Sequence, residues 1–161
     1  MICPPTNRPE QDVVYTPSYL AKQIVDHFKP TGLILEPCKG GGVFQDLLNG
    51  DWCEIVEGVD FFDYTKSPDW IVTNPPWSMI RQFLEHSFKI EAKNVVYLCN
   101  LNALVTKARL NLIKDNGYGI KEFYCVDTPK LNWPQTGFQL AATHIKKGYT
   151  GPTYWEGDKN D

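Results

Sequence analysis

The feature that most constrains this chain is an alternation of short, continuously apolar runs with amphipathic segments. Leu33-Ile34-Leu35, Trp70-Ile71-Val72-Thr73 and Val95-Val96-Tyr97-Leu98-Cys99 are too short for helices and lack the polar alternation of a one-sided strand. Such runs predict strands buried on both faces. Between them, Leu20, Ile24, Val25 and Phe28 recur at helical spacing, as do Ile80, Phe83, Leu84, Ser87 and Phe88. Thr16 is placed to cap the first helix, with Pro17 at its first position, and Lys29-Pro30-Thr31-Gly32 stops it. A short helix carries Val43, Phe44, Leu47 and Leu48 on one side; another holds Ala108, Leu110, Leu112 and Ile113 and closes at Asn116-Gly117. The last two apolar runs, Ile120 to Val126 and Phe138 to Ile145, have no helix between them and predict an antiparallel hairpin. The whole reads as an α/β fold with a doubly wound, mostly parallel sheet and an antiparallel terminal hairpin. In such folds ligands sit at the carboxyl ends of the strands.

The 161 residues suit one domain, 1–161, large enough to bury about two thirds of its unfolded surface. Residues 1–12, with three prolines and little apolar content, are expected to form a flexible arm, and 148–161, rich in glycine and charge, an irregular tail. A net charge of -3 removes a broadly basic face without removing nucleic acid as a substrate. Five cysteines at scattered positions, none at CxxC spacing, argue against a disulfide framework and against a zinc site. No run approaches the roughly 18 apolar residues of a membrane span, and the start lacks the apolar core of a signal peptide. A soluble, cytoplasmic chain in a reducing compartment, with no membrane partner and no metal, is the expectation.

Two strand ends are chemically unusual. The first is Leu35-Glu36-Pro37-Cys38-Lys39-Gly40-Gly41-Gly42-Val43-Phe44. Glycines between strand and helix let a ligand approach the backbone closely, although a tight turn without any ligand explains glycines alone. The Walker ending and the GxGxxG fingerprint are both missing. Glu36 before the loop would repel phosphate and welcome an ammonium or sulfonium group. The second is Asn74-Pro75-Pro76-Trp77. Two prolines end the strand and remove two amide donors, which leaves an acceptor-rich corner beside a flat indole. Those parts suit the exocyclic amino group of a planar base, more than a proline-terminated strand with a packing tryptophan requires.

In this order the motifs resemble the class I S-adenosylmethionine-dependent methyltransferases, in the branch that modifies adenine N6 or cytosine N4 of nucleic acid. The resemblance runs from about Tyr15 to Ile145 and implies the Rossmann-like fold of that class. It implies S-adenosyl-L-methionine as cofactor, with Tyr15, Thr16 and Pro17 in the N-terminal cofactor segment and Glu36, Pro37, Cys38, Gly40, Gly42 and Phe44 in the glycine-rich loop. Glu54 stands where the family has the acid that binds the ribose, and Asp60-Phe61 where it has the pair that holds the adenine. Asn74, Pro75, Pro76 and Trp77 match the catalytic tetrapeptide, with Asn74 also touching the cofactor. One departure is the short interval from Glu54 to Asp60: the usual intervening helix is absent or vestigial, so Glu57 competes for the ribose role. The resemblance implies methyl transfer without a metal or covalent intermediate, on a base flipped out or single-stranded. Trp77 would stack on that base.

On the target side the resemblance points to an aromatic in the loop before the last strand, Trp133 or Phe138, although Phe138 equally can begin the hairpin. Lys107, Arg109, Lys146 and Lys147 suit phosphates or solvent; Tyr149, Tyr154 and Trp155 suit base stacking or the covering of an edge. His27, His86 and His144 read as surface or structural. Nucleic acid is the expected partner, DNA favoured over RNA, with protein a further substrate of relatives that share the asparagine. A non-catalytic, methyltransferase-like subunit is the alternative of another class. A chain of this size has little left for reading sequence, so specificity is low, confined to loops such as 129–138, or supplied by a homodimer or specificity partner.

Overall fold

The buried runs become the middle of one sheet. The computed structural model describes residues 14–157; the expected arm, 1–12, and the last part of the expected tail, 158–161, lie outside the described residues. The strands are β1 (Ile34–Glu36), β2 (Asp51–Trp52), β3 (Trp70–Thr73), β4 (Asn94–Asn100), β5 (Tyr118–Val126), β6 (Leu140–Lys147) and β7 (Tyr154–Gly157). They are ordered β2-β1-β3-β4-β6-β5-β7. β1 pairs in parallel with β2 and β3, and β3 with β4; β6 alone runs against its neighbours β4 and β5. In register, Leu35 lies beside Ile71 and Ile71 beside Val95, all three without solvent exposure. Burial of one such side chain favours folding by about 1.5–3 kcal/mol, so this row anchors the core.

The helices are α1 (Ser18–Phe28), α2 (Val43–Leu48), α3 (Ile80–Lys89) and α4 (Lys107–Asp115). α1 packs on α2 and α3 on α4. The apolar face read for α3 is buried at every named position. Ser87 belongs on that face because its hydroxyl donates to the Phe83 carbonyl and bonds Tyr97 Oη at 2.7 Å. Among the described residues, no helix is long and apolar enough to cross a membrane.

Several local expectations change. Pro17, in extended conformation, is the N-cap of α1, and Thr16 does not cap it, because its hydroxyl instead accepts a hydrogen bond from Asn74. Leu47 is exposed, since α2 is too short to bury both of its sides. β6 begins at Leu140, which leaves Phe138 outside the hairpin and exposed. The segment from Gly148, read as irregular, returns to the sheet as β7, pairing in parallel with β5 from Glu122↔Tyr154 to Cys125↔Gly157. Its pattern was hidden because all four residues are exposed, so no buried face imposes an alternation.

Gly50, just before β2, sits tightly against β1: a Cβ there would stand 2.3 Å from the Ile34 carbonyl oxygen. Gly50→Ala is expected to lower stability by about 1–3 kcal/mol in urea unfolding, the range for overpacking. Gly157→Ala, where a Cβ meets nothing within 4 Å, should change it little.

Candidate functional site

The order reversal between β2-β1 and β3-β4 puts the carboxyl ends of β1 and β3 side by side. Both unusual motifs therefore meet. Glu36 is 2% exposed, and its Oε1 accepts the Cys38 amide at 2.7 Å and the Thr73 hydroxyl from the end of β3. Gly42, with φ 86, is the residue at which the loop turns into α2, a conformation open to glycine without strain. The loop is held from behind. Lys39 N–H donates to the Cys53 carbonyl at 3.0 Å, and Gly40 N–H to Glu54 Oε2 at 2.9 Å.

Asn74 follows β3 directly and is 2% exposed. Its Nδ2 donates to the Val14 carbonyl and to Thr16 Oγ1, each at 3.1 Å, while its Oδ1 accepts from Trp77 Nε1 at 3.2 Å. The Val14 carbonyl only accepts and the indole N–H only donates, so the amide has one allowed orientation. Trp77 opens a 3-10 turn, and its ring meets the buried Trp133 edge-on, centroids 5.7 Å apart. Among the described residues, the indole nitrogen of Trp133 has no hydrogen-bond partner.

A cleft of about 360 Å³ opens where these parts converge, lined among others by Tyr15, Thr16, Glu36, Cys38, Gly41, Phe44 and Asn74. A wider one of about 840 Å³ shares Tyr15 and Thr16 with it and continues past Pro17 and Tyr19 to Pro129 and Leu131. The structure thus brings the N-terminal segment, the glycine loop and Asn74 together.

It does not bring the expected ribose and adenine residues into the same cleft. Glu54 is 3% exposed, and its two oxygens accept the Gly40 and Val56 amides, so it braces the loop. Glu57 pairs instead with Lys39 at 3.0 Å. The usual helix in this interval is a single 3-10 turn, Ile55–Glu57. Asp60 caps the next turn through the Phe62 amide. Phe61 is fully buried against Phe62, Phe83 and His86. Tyr19, on the wider cleft, was missed, because nothing in the periodicity of α1 marks an exposed tyrosine as a cleft wall; Leu131 on the same cleft belongs to the 129–138 loop expected to bear on specificity.

His86 and His144 serve the structure. His86 bonds the Tyr64 carbonyl at 3.0 Å, and His144 bonds Asn94 Oδ1 at 2.9 Å and stacks on Trp70. Burial pushes His144 down to about 4.

Burial has the opposite effect on Glu36, raising its carboxyl to about 8 against the lowering pull of Thr73 and the Cys38 amide. Both bonds fall on Oε1, which leaves Oε2 for the proton. A group raised on folding binds more protons in the native state, so stability falls as pH rises from about 4.5 to about 8. Glu36→Gln should abolish this fall. The stability difference between the two proteins is expected to shift by a few kcal/mol (order of magnitude) across that window in urea unfolding. His144 acts oppositely and at lower pH: from 6.5 down to about 4 the unfolded chain takes up a proton that the buried imidazole refuses, so stability falls as pH drops, equally in both proteins.

No protein-family model matches the chain. It is 33% identical over 76 residues, 46% of its length, to the type II methyltransferase M.EcoRI of Escherichia coli, and the match spans 23% of that protein. Among solved structures it is similar to a protein of Pyrococcus horikoshii proposed to be an RNA methyltransferase (15% identity, TM-score 0.60, 89% of this chain and 91% of that one). It is also similar to the M protein of the type I restriction enzyme EcoKI (14% identity, TM-score 0.60, 84% and 44%). A chain of the DrdV–DNA complex superposes with TM-score 0.62 at 11% identity, over 92% and 28%. The chain therefore has the class I methyltransferase fold, and over 76 residues it is homologous to M.EcoRI.

Proposed function

We propose that this chain transfers a methyl group from S-adenosyl-L-methionine to the exocyclic amino group of a nucleic-acid base, adenine N6 in DNA being favoured. The observation that carries the reading is the buried Asn74 amide, locked in one orientation at the end of β3 beside the glycine loop. The match to the type II methyltransferase M.EcoRI, and the likeness to a chain of a DNA complex, support DNA as the target. The similarity to a protein proposed to act on RNA makes RNA the second candidate.

The residues present fit the cofactor at its amino-acid and sulfonium end. Glu36, an acid in a cleft with the open backbone of Gly41, suits an ammonium group and a nearby positive sulfur. Tyr15, Thr16, Pro17, Pro37, Cys38, Gly40, Gly42 and Phe44 would shape that end. Toward the ribose and adenine, Glu57 and Asp60 are the accessible carboxylates, and Glu54 and Phe61 would support them from beneath. Bound there, the sulfonium supplies an electrophilic methyl group. Asn74 Oδ1 keeps a second lone pair beside the one taken by Trp77, and with the Pro75 carbonyl it would accept the N–H hydrogens of the target. That draws the nitrogen lone pair out of the ring and stabilises the charge that develops on attack. Pro76 would fix the turn, and Trp77 would serve twice, as a stacking surface and as the donor that aims the Asn74 oxygen. The wider cleft, with Tyr15, Tyr19 and Leu131 on its walls and Trp133 and Phe138 in the same loop region, is the proposed path of the base. A homodimer or a specificity partner would supply further sequence reading.

Tritiated methyl transfer to DNA, RNA and protein pools tests the proposal. Transfer to adenine in DNA is expected, and Asn74→Ala should reduce it about 10²–10³-fold, the usual effect of losing one preorganised polar contact, while cofactor binding by calorimetry persists. Tight cofactor binding without transfer to any pool would overturn the enzymatic reading in favour of a binding subunit. Incorporation into RNA alone would change the target.

A further inference from the structure

At the end of α1 remote from the cleft, three potential metal ligands converge from three elements. Ser18 lines the cleft, and His27 stands nine residues on, about 14 Å along the helix axis. His27 Nε2 lies 2.8 Å from Glu122 Oε1 on β5 and 3.9 Å from Glu156 Oε2 on β7. The three ligand atoms are all within 4.8 Å of one another. We propose that His27, Glu122 and Glu156 bind one divalent transition-metal ion, with zinc as the probe, and that the ion clamps β7 onto α1 and β5.

Three observations carry this. One imidazole nitrogen faces two carboxylates, Glu122 within hydrogen-bond distance and Glu156 beyond it, so that a single position lies between all three groups. The imidazole is already aimed: it stacks flat on Tyr124, centroids 3.8 Å apart and planes 6° from parallel, with Phe28 against its edge. A fixed ring is what a metal-binding histidine requires of its surroundings. The fold also bends to deliver Glu122. The ladder of β5 is irregular between Ile120 and Glu122; before that point Tyr118 meets Phe88 of α3, and after it Tyr124 meets His27 of α1. A bulge of this kind re-aims side chains, and here it turns Glu122 toward the histidine.

The geometry is close to that of a bound ion. Tetrahedral ligands about 2.0–2.1 Å from zinc stand roughly 3.3 Å apart, so Glu122 must draw back from 2.8 Å and the half-exposed Glu156 close in from 3.9 Å. An ion bonded to the Nε2 lone pair leaves the ring hydrogen on Nδ1, and water completes the shell. A cavity of about 610 Å³ admits the ion. Lys121 and Lys146 line the same cavity and oppose cations held by charge alone. The site should therefore prefer ions that bond imidazole, such as zinc, over magnesium or calcium. It uses none of the cysteines whose spacing pointed away from zinc.

The test is calorimetric titration of zinc into the full chain with its thiols reduced, paired with melting curves and zinc-edge X-ray absorption. One ion should bind with Kd below about 10 µM, raise the melting temperature, and show a nitrogen and oxygen shell without sulfur. Glu156→Gln, an isosteric change at a half-exposed position, and His27→Asn should each weaken binding at least about tenfold and remove the thermal shift. The proposal is overturned by the absence of a stoichiometric site, by affinity unchanged in both variants, by a sulfur shell, or by magnesium binding as tightly as zinc.

Discussion

The Thr73 hydroxyl donates to Glu36, and through that bond the carboxyl ends of β1 and β3 become one surface. Everything chemically distinctive in the chain hangs from those two strand ends. The glycine loop leaves one and Asn74 leaves the other, and neither has chemistry of its own without its neighbour. The arrangement depends in turn on parallel pairing around β1, because only a reversal of strand order opens a crevice between adjacent ends. A buried carboxyl at this point is unfavourable unless neutral or met by positive charge. Glu36 is therefore the place where the fold is least content on its own, and a ligand bearing positive charge would relieve it.

Sequence reading recovered what local chemistry specifies. The apolar runs became the central strands, α3 buried the face its spacing marked, and the hairpin of β5 and β6 formed where no helix intervened. It failed where tertiary context decides. Thr16 has the chemistry of a helix cap, but a closer claim on its oxygen comes from an amide 58 residues away. Glu54 stands at a strand end like a ligand-binding acid, yet the shortened interval after it folds the carboxylate under the loop, where two backbone amides hold it. Phe61 is drawn into an aromatic cluster supplied by α3, which periodicity around position 61 does not reveal. β7 has no buried face and so left no pattern to read.

The same separation divides the molecule by depth. Glu36, Phe44 and Asn74 on the inner cleft are buried, whereas Tyr19 and Leu131 on the wider cleft, and Tyr15 between the two, are exposed. Buried, hydrogen-bonded groups form the Asn74 corner, and exposed apolar side chains surround the approach to it. This is a sensible division where the chemistry is fixed and the incoming partner is large, because adaptable walls can close on a guest that the rigid corner must not follow.

One consequence of the Asn74-Pro75 junction concerns durability. An asparagine commonly ages when the backbone nitrogen of the next residue attacks its side-chain carbonyl and ammonia is lost. Proline carries no hydrogen on that nitrogen, so the ordinary ring closure is blocked at the outset. Were the amide nevertheless converted to a carboxylate, an oxygen would face the Val14 carbonyl across 3.1 Å where an N–H now donates. Pro75, one of the two prolines that shape the corner, thus also acts as a chemical preservative for the one side chain whose identity it most depends on.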